Sequence, residues 1–184
     1  VSETIPLLVH AARHNDEDAW DQLFRMHQLR IFTYALGFTR NRAAAFDIVQ
    51  ESFARAVTHV AGLRDDSRFT QWLFGIAHQR CIQHFRGAKR ENALFDEAAD
   101  IDGEPDPGNP DPFLALVTSE EARSLQALIE QLPAPQRSAL LLHVLGEFSL
   151  EEIAEVSDVP VGTVKSRLHN AKRAMRAMIS KEAL

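Results

Sequence analysis

Cysteine occurs once in this chain of 184 residues. A lone thiol excludes an internal disulfide framework and suits a reducing compartment. No apolar run approaches the roughly 18 residues that span a bilayer, and the first residues lack the basic-then-apolar order of a secretory signal. A soluble, cytoplasmic protein is therefore expected. Strand-like alternation between turn signals is missing. A phosphate loop, a nucleophile elbow and paired catalytic carboxylates are missing too, so no enzymatic activity and no cofactor are expected. His10 and His14 stand at i, i+4, and His78, Cys81 and His84 recur every three residues. Neither set carries the acids or second cysteine of a metal site, so no metal is expected. Cys81 reads as a small core residue, with a redox role as the alternative.

What remains is helix and loop, an all-α pattern. A first helix spans about 3–14, with Ile5, Leu8, Val9 and Ala12 on one side. Asn15 or Asp16 caps a longer helix, in which Trp20, Leu23, Phe24 and His27 hold the spacing of a buried stripe and which continues to about Phe38. Asn41 opens a third, with Ile48, Val49, Ser52, Phe53, Ala56, Val57 and Val60 inward. After a loop at 62–67, a fourth runs from about Phe69 to Gly87, with Trp72, Leu73, Ile76, Ala77, Cys81 and Phe85 on its core side. Residues 91–112 are acidic, rich in proline and glycine and poor in large apolar side chains, so they cannot offset their ordering entropy and read as a flexible linker. Ser119 is the expected cap of the next helix. Pro133 stops that helix, Pro135 suits the first turn of another, and Gly146 ends it. The chain thus divides into residues 1–90, a linker over 91–118, and residues 119–184.

The stretch SLEEIAEVSDVPVGTVKSRLHNAKRAM at 149–175 is the most informative. Ser149 and Glu152 form a capping box. Ser157, Asp158 and Pro160 break that helix. A second follows with Val164, Leu168, Ala171 and Met175 at helical spacing, and Lys165, Arg167, Lys172, Arg173 and Arg176 on its remaining faces. A short helix bracing a basic one across a tight turn is the helix-turn-helix plan, whose second helix fits the major groove. The net charge of −6 opposes DNA binding, but its distribution does not. Residues 68–90 hold five Lys/Arg and no acid, and 160–184 hold six against Glu182. Residues 91–121 hold ten acids and no base. Two basic surfaces on an acidic tether should bind DNA weakly alone, because affinity comes mainly from phosphate neutralisation.

Three motifs in order, FDIVQESFARA (46–56), FTQWLFGIAHQRCIQHFRGAKR (69–90) and the helix-turn-helix (149–175), resemble the extracytoplasmic-function sigma factors of bacterial RNA polymerase. The resemblance spans nearly the whole chain. It implies two helical domains of the sigma region 2 and region 4 type. It also implies an alternative sigma factor that binds core RNA polymerase and directs promoter recognition and melting. Asp47, Gln50 and Glu51 would dock on the polymerase clamp; with Ala54 they share one side of a helix. Arg64, Ser67, Arg68, Phe69, Arg80, Gln83 and Arg86 would hold the unpaired −10 element, through pockets, stacking and charge. Trp72 would pack in the core. Thr163, Lys165, Ser166, Arg167, Asn170 and Arg173 would read the duplex −35 element, with Arg167 the candidate for a bidentate guanine contact. Lys172 and Arg176 would touch phosphate or solvent. The linker would thread toward the polymerase active site, unless it is a plain spacer. Implied partners are core RNA polymerase, promoter DNA and an anti-sigma factor. Phe46, Gln79, Gln83, His169 and Asn170 depart from the family's usual residues. A stand-alone helix-turn-helix repressor and a pure protein-interaction module are the rival readings.

Overall fold

The computed structural model describes residues 4–94 and 120–182. Among these residues there is no strand, and none of the helices is long and apolar enough to cross a membrane. The helices are α1 (Thr4–Ala12), α2 (Glu17–Thr39), α3 (Arg42–His59), α4 (Phe69–Leu94), α5 (Glu120–Glu130), α6 (Ala134–Leu145), α7 (Leu150–Ser157) and α8 (Val161–Glu182). Two 3-10 turns, Val60–Gly62 and Asp66–Arg68, fill the loop between α3 and α4.

Local chemistry sets most boundaries. The Asp16 carboxylate accepts the Ala19 N–H at 2.9 Å and starts α2. Arg40, at φ 57°, closes that helix in the left-handed region. The Asn41 side chain accepts the Ala44 N–H at 2.9 Å and starts α3. Such caps satisfy amides that have no partner in the first turn. Pro135 falls in the first turn of α6, and the Ser149–Glu152 capping box opens α7. Asp158, at φ 51°, turns the chain out of α7.

Two expectations need correction. Helix α4 does not stop near Gly87 but runs to Leu94, so it takes in the first residues assigned to the linker. Ala88, Lys89, Arg90 and Glu91 are strong helix formers, and one glycine costs only about 1 kcal/mol against alanine. The rest of that linker, and the expected cap Ser119, lie outside the described residues. Val57 is exposed rather than inward; Ala56 and Val60 occupy the buried stripe of α3 beside it.

Helices α1 to α4 bury Leu23, Ile31, Ile48, Phe53, Leu73 and Phe74, whereas α5 to α8 bury Leu128, Leu142, Ile153, Val164 and Leu168. The two cores meet. Helix α6 packs on α2, and α7 packs on α4. The Phe74 and Phe148 rings stand edge to face across this junction, 5.2 Å apart. A Cβ at Gly37 would lie 2.7 Å from Leu141 Cδ1. The buried Arg137 guanidinium of α6 donates to the Phe38 carbonyl at 3.3 Å and to the Glu130 carbonyl at 3.0 Å. Burial lowers its pKa, as does the charge of Arg40.

Buried polar groups are chained together here. Tyr34 is fully buried. Its hydroxyl lies 2.6 Å from His78 Nδ1 and 3.0 Å from Ser138 Oγ. Burial, with a smaller push from Arg167, lowers the His78 pKa to about 4. The neutral ring shares one hydrogen bond with the Tyr34 hydroxyl, and that hydroxyl shares a second with Ser138. The pH consequence has a definite sign. A histidine at about 4 folded and at its ordinary 6.5 unfolded stabilises the fold fully above that ordinary value. This contribution is lost as pH falls toward about 4. Thermal denaturation should give a lower Tm at acid pH than at neutral pH. His78→Gln, which keeps an acceptor but cannot be protonated, should flatten part of that dependence. Identical pH profiles for the variant and the wild type would remove His78 as a cause.

Candidate nucleic-acid interface

The α3 face forms as the helical spacing requires. Asp47, Gln50, Glu51 and Ala54 are exposed, while Ile48, Val49, Ser52 and Phe53 point inward. Glu51 is not isolated on that face. Its carboxylate lies 3.3 Å from the Arg80 guanidinium of α4, and Arg80 also donates to Gln83 Oε1 at 2.9 Å. Residues expected to contact polymerase and residues expected to contact −10 DNA therefore adjoin through one ion pair.

The loop before α4 is shaped by its acids. The Asp65 carboxylate accepts from the Ser67 hydroxyl (2.6 Å) and the Ser67 amide (2.9 Å). These bonds hold its pKa below the usual carboxylate range. Arg13, just after α1, donates to Asp66 and to the Leu63 carbonyl, which ties the end of α1 to the loop. Together with α4 the loop forms a cavity of about 450 Å³, lined by Arg64, Arg68, Gln71, Trp72 and Gln79. Trp72 is half-buried and forms part of this wall. Phe69, expected among the −10 contacts, is elsewhere: it is 0% exposed. Its ring packs against Trp20, His27 and Trp72, at centroid distances of 6.3, 5.5 and 5.9 Å. The first residue of α4 faces the α1–α2 side of the bundle, so its neighbour Arg68 reaches solvent while its own ring does not. His27 beneath it donates from Nδ1 to the Leu23 carbonyl at 2.9 Å and accepts at Nε2 from the Thr70 hydroxyl at 3.0 Å. Burial lowers its pKa and favours this neutral form. Arg86 has no described side chain.

On α8, Val164, Leu168 and Ala171 are buried against α6 and α7. Lys165, Ser166, Lys172 and Arg173 are exposed, and Thr163, Arg167 and Asn170 are half-buried. The Ser166 hydroxyl donates to the Thr163 carbonyl at 2.9 Å. Cys81 is fully buried on α4, and burial pushes its thiol up to about 12. A thiol held protonated in this way is a poor nucleophile and a poor redox sensor.

Some structural participants were not singled out from sequence. Glu155 on α7 and Gln71 on α4 meet at 2.8 Å. Arg68 donates to both, reaching Gln71 Oε1 at 2.8 Å. Gly37 was a legible signal, being a glycine inside an apolar helical run; nothing in the order of residues marked Glu155. A second cavity, of about 520 Å³, opens between α2, α5, α6 and α8. Phe32, Leu36, Ile129, Val144, Met175 and Ile179 line it, with Lys172 and Arg176 also on its walls.

Comparisons with known proteins address both halves of the chain. The profile of sigma-70 region 2 matches residues 23–91, and that of sigma-70 region 4 matches residues 122–175. The RNA polymerase sigma-H factor of Pseudomonas aeruginosa is 32% identical, over 91% of this chain and 90% of that protein. The ECF RNA polymerase sigma-E factor of Salmonella typhimurium is 31% identical, over 94% and 92%. The ECF RNA polymerase sigma factor SigW of Bacillus subtilis is 29% identical, over 93% and 94%. Two solved structures share the fold. One is the sigma factor RpoE with the anti-sigma factor NepR from Bartonella quintana (TM-score 0.71, 21% identity, 87% of this chain and 96% of that one). The other is CnrH with the cytosolic domain of CnrY (TM-score 0.67, 20% identity, 97% and 98%).

Proposed function

This chain belongs to the extracytoplasmic-function sigma factors of RNA polymerase, and from that membership we propose how its parts divide promoter recognition and melting in transcription initiation. The unit formed by residues 1–90 docks on core polymerase through Asp47, Gln50 and Glu51, and takes the melted −10 element at Arg64, Ser67, Arg68, Arg80, Gln83 and Arg86. Residues 119–184 read the duplex −35 element through Thr163, Lys165, Ser166, Arg167, Asn170 and Arg173, with residues 91–118 as the tether. The observation that carries this reading is the cavity between the 64–68 loop and α4. Arg64, Arg68, Gln71, Gln79 and Trp72 line it, with the acidic Asp65 and Glu155 also on its walls; arginines beside an aromatic ring suit unstacked bases. Two weak DNA contacts held at a set spacing act bivalently, so neither needs to be tight alone.

The protein acts with cytoplasmic polymerase and supplies no bond-making chemistry itself. Its regulatory partner is an anti-sigma factor, the class of protein bound to RpoE in one of the solved structures named above. The apolar cavity between the two units, bordered by Lys172 and Arg176, suits an amphipathic helix with acidic flanks. Run-off transcription with purified core polymerase and a promoter library tests the whole reading. Discrete transcripts that require this chain support it. Core polymerase that binds the chain but leaves every template closed would reduce it to an interaction module.

A further inference from the structure

We infer that the free chain closes on itself without any partner, and that in this closed form helix α7 covers the cavity proposed for −10 DNA, with Glu155 seated on Arg68 and Gln71. The assignment of that cavity to DNA rests on the proposed function; the closure does not.

The covering is direct. Glu155 and Val156 of α7 complete the wall of the Arg64–Gln79 cavity. The Glu155 carboxylate accepts from Gln71 Nε2 at 2.8 Å and from the Arg68 guanidinium. Those bonds, Gln71 first and Arg68 second, keep its pKa below the usual carboxylate range, so it stays anionic. A carboxylate offers an arginine and an amide the same paired oxygen acceptors that a phosphate offers. DNA and Glu155 therefore compete for one donor set. Arg167, near the start of the −35 helix, is half-buried, and its charge adds to the lowering of the His78 pKa.

The closure is written into α2 and α6. Glycine inside a helix is destabilising relative to alanine. The three nearest atoms to a Cβ at Gly37 all belong to Leu141, on the other unit, and the first is 2.7 Å away. The missing side chain thus serves the junction rather than the α1–α4 bundle. Across the same junction Tyr34 meets Ser138, Arg137 meets the Phe38 carbonyl, and Arg30 donates to the Leu145 carbonyl at 2.6 Å. Most polar groups buried by the contact are paired across it, while Arg137 Nε has no partner among the described residues. The exposed Arg68–Glu155 pair contributes little to holding the units together. Apolar packing holds the units together, and the ion pair does the masking.

Gly37→Glu separates the closed and open forms. A side chain at Gly37 begins 2.7 Å from Leu141 when the chain is closed and stands in solvent when it is open. Should the carboxylate turn into the adjoining cavity toward Lys172 and Arg176 and leave the variant as compact as wild type, the cysteine pair below decides. Small-angle scattering should give the wild type a radius of gyration near the compact value of about 16 Å, and the variant a clearly larger one, with unchanged helix content by circular dichroism. The variant should also bind a fluorescein-labelled single-stranded 15-mer of mixed sequence roughly tenfold more tightly than wild type at low salt, a gain of about 1.4 kcal/mol. A wild type as extended as the variant would overturn the closure. Equal DNA affinity in two proteins of different size would overturn the masking. Should Gly37→Glu lose helix content, the pair Gly37→Cys with Leu141→Cys, in a Cys81→Ser background, serves instead. It should crosslink on oxidation and regain DNA binding on reduction; absence of the crosslink overturns the closure. A compact wild type that yields no transcripts with core polymerase would leave the closure standing and remove the −10 assignment. Promoter-specific transcripts from an extended wild type would do the reverse.

Discussion

Phe69→Ala should lower the stability of the α1–α4 unit by about 3–5 kcal/mol, the usual cost of removing a buried phenyl ring and leaving a cavity. Phe69 is fully enclosed, and its ring contacts Trp20, His27 and Trp72. The truncation removes those contacts together and unseats the loop that carries Arg64 and Arg68. Chemical denaturation monitored at the tryptophans would measure the loss. Arg68→Ala is the control. Its side chain is about half exposed, so stability should change by less than about 1 kcal/mol while binding of single-stranded DNA falls. If Phe69→Ala left the unfolding midpoint unchanged but abolished DNA binding, Phe69 would be a contact residue after all, and the packing described above would be wrong.

Arg167→Ala should reduce −35-dependent initiation by about 5- to 150-fold, the equivalent of losing a bidentate guanine contact worth about 1–3 kcal/mol. The loss should be confined to promoters carrying the preferred base. Lys172→Ala, on an exposed position of the same helix, should weaken duplex binding evenly across sequences and lower the salt slope by about one. Arg167 is half-buried, so its effect should be clearest in initiation by the polymerase complex. A start rate unaffected by Arg167→Ala at every promoter tested would take this residue out of −35 reading.

The helices could be read from residue order because their signals are local. Asp16, Asn41 and the Ser149–Glu152 box are short-range devices, and each cap bonds the backbone within three residues. The exposed patch of Asp47, Gln50 and Glu51 follows from the same arithmetic, since Ile48, Val49 and Phe53 must turn inward. The far end of α4 is less legible in residue order, because Gly87 resembles a stop signal while the helix formers after it carry the helix on to Leu94. Phe69 failed differently. An aromatic at a loop–helix border satisfies either a base or a core, and only the position of α1 and α2 shows which.

Residue order alone therefore determined that this is an all-helical chain with a capped helix-turn-helix, two basic segments and an acidic stretch between them. Helix periodicity, capping and charge act over a few residues and need no neighbours from afar. The tertiary structure decided the rest: that Gly37 makes room for Leu141, that Tyr34 links His78 to Ser138, and that Glu155 sits on Arg68. Those pairs join residues 44 to 104 positions apart. Nothing within a single helix specifies them, because they depend on how two apolar faces come to rest against each other.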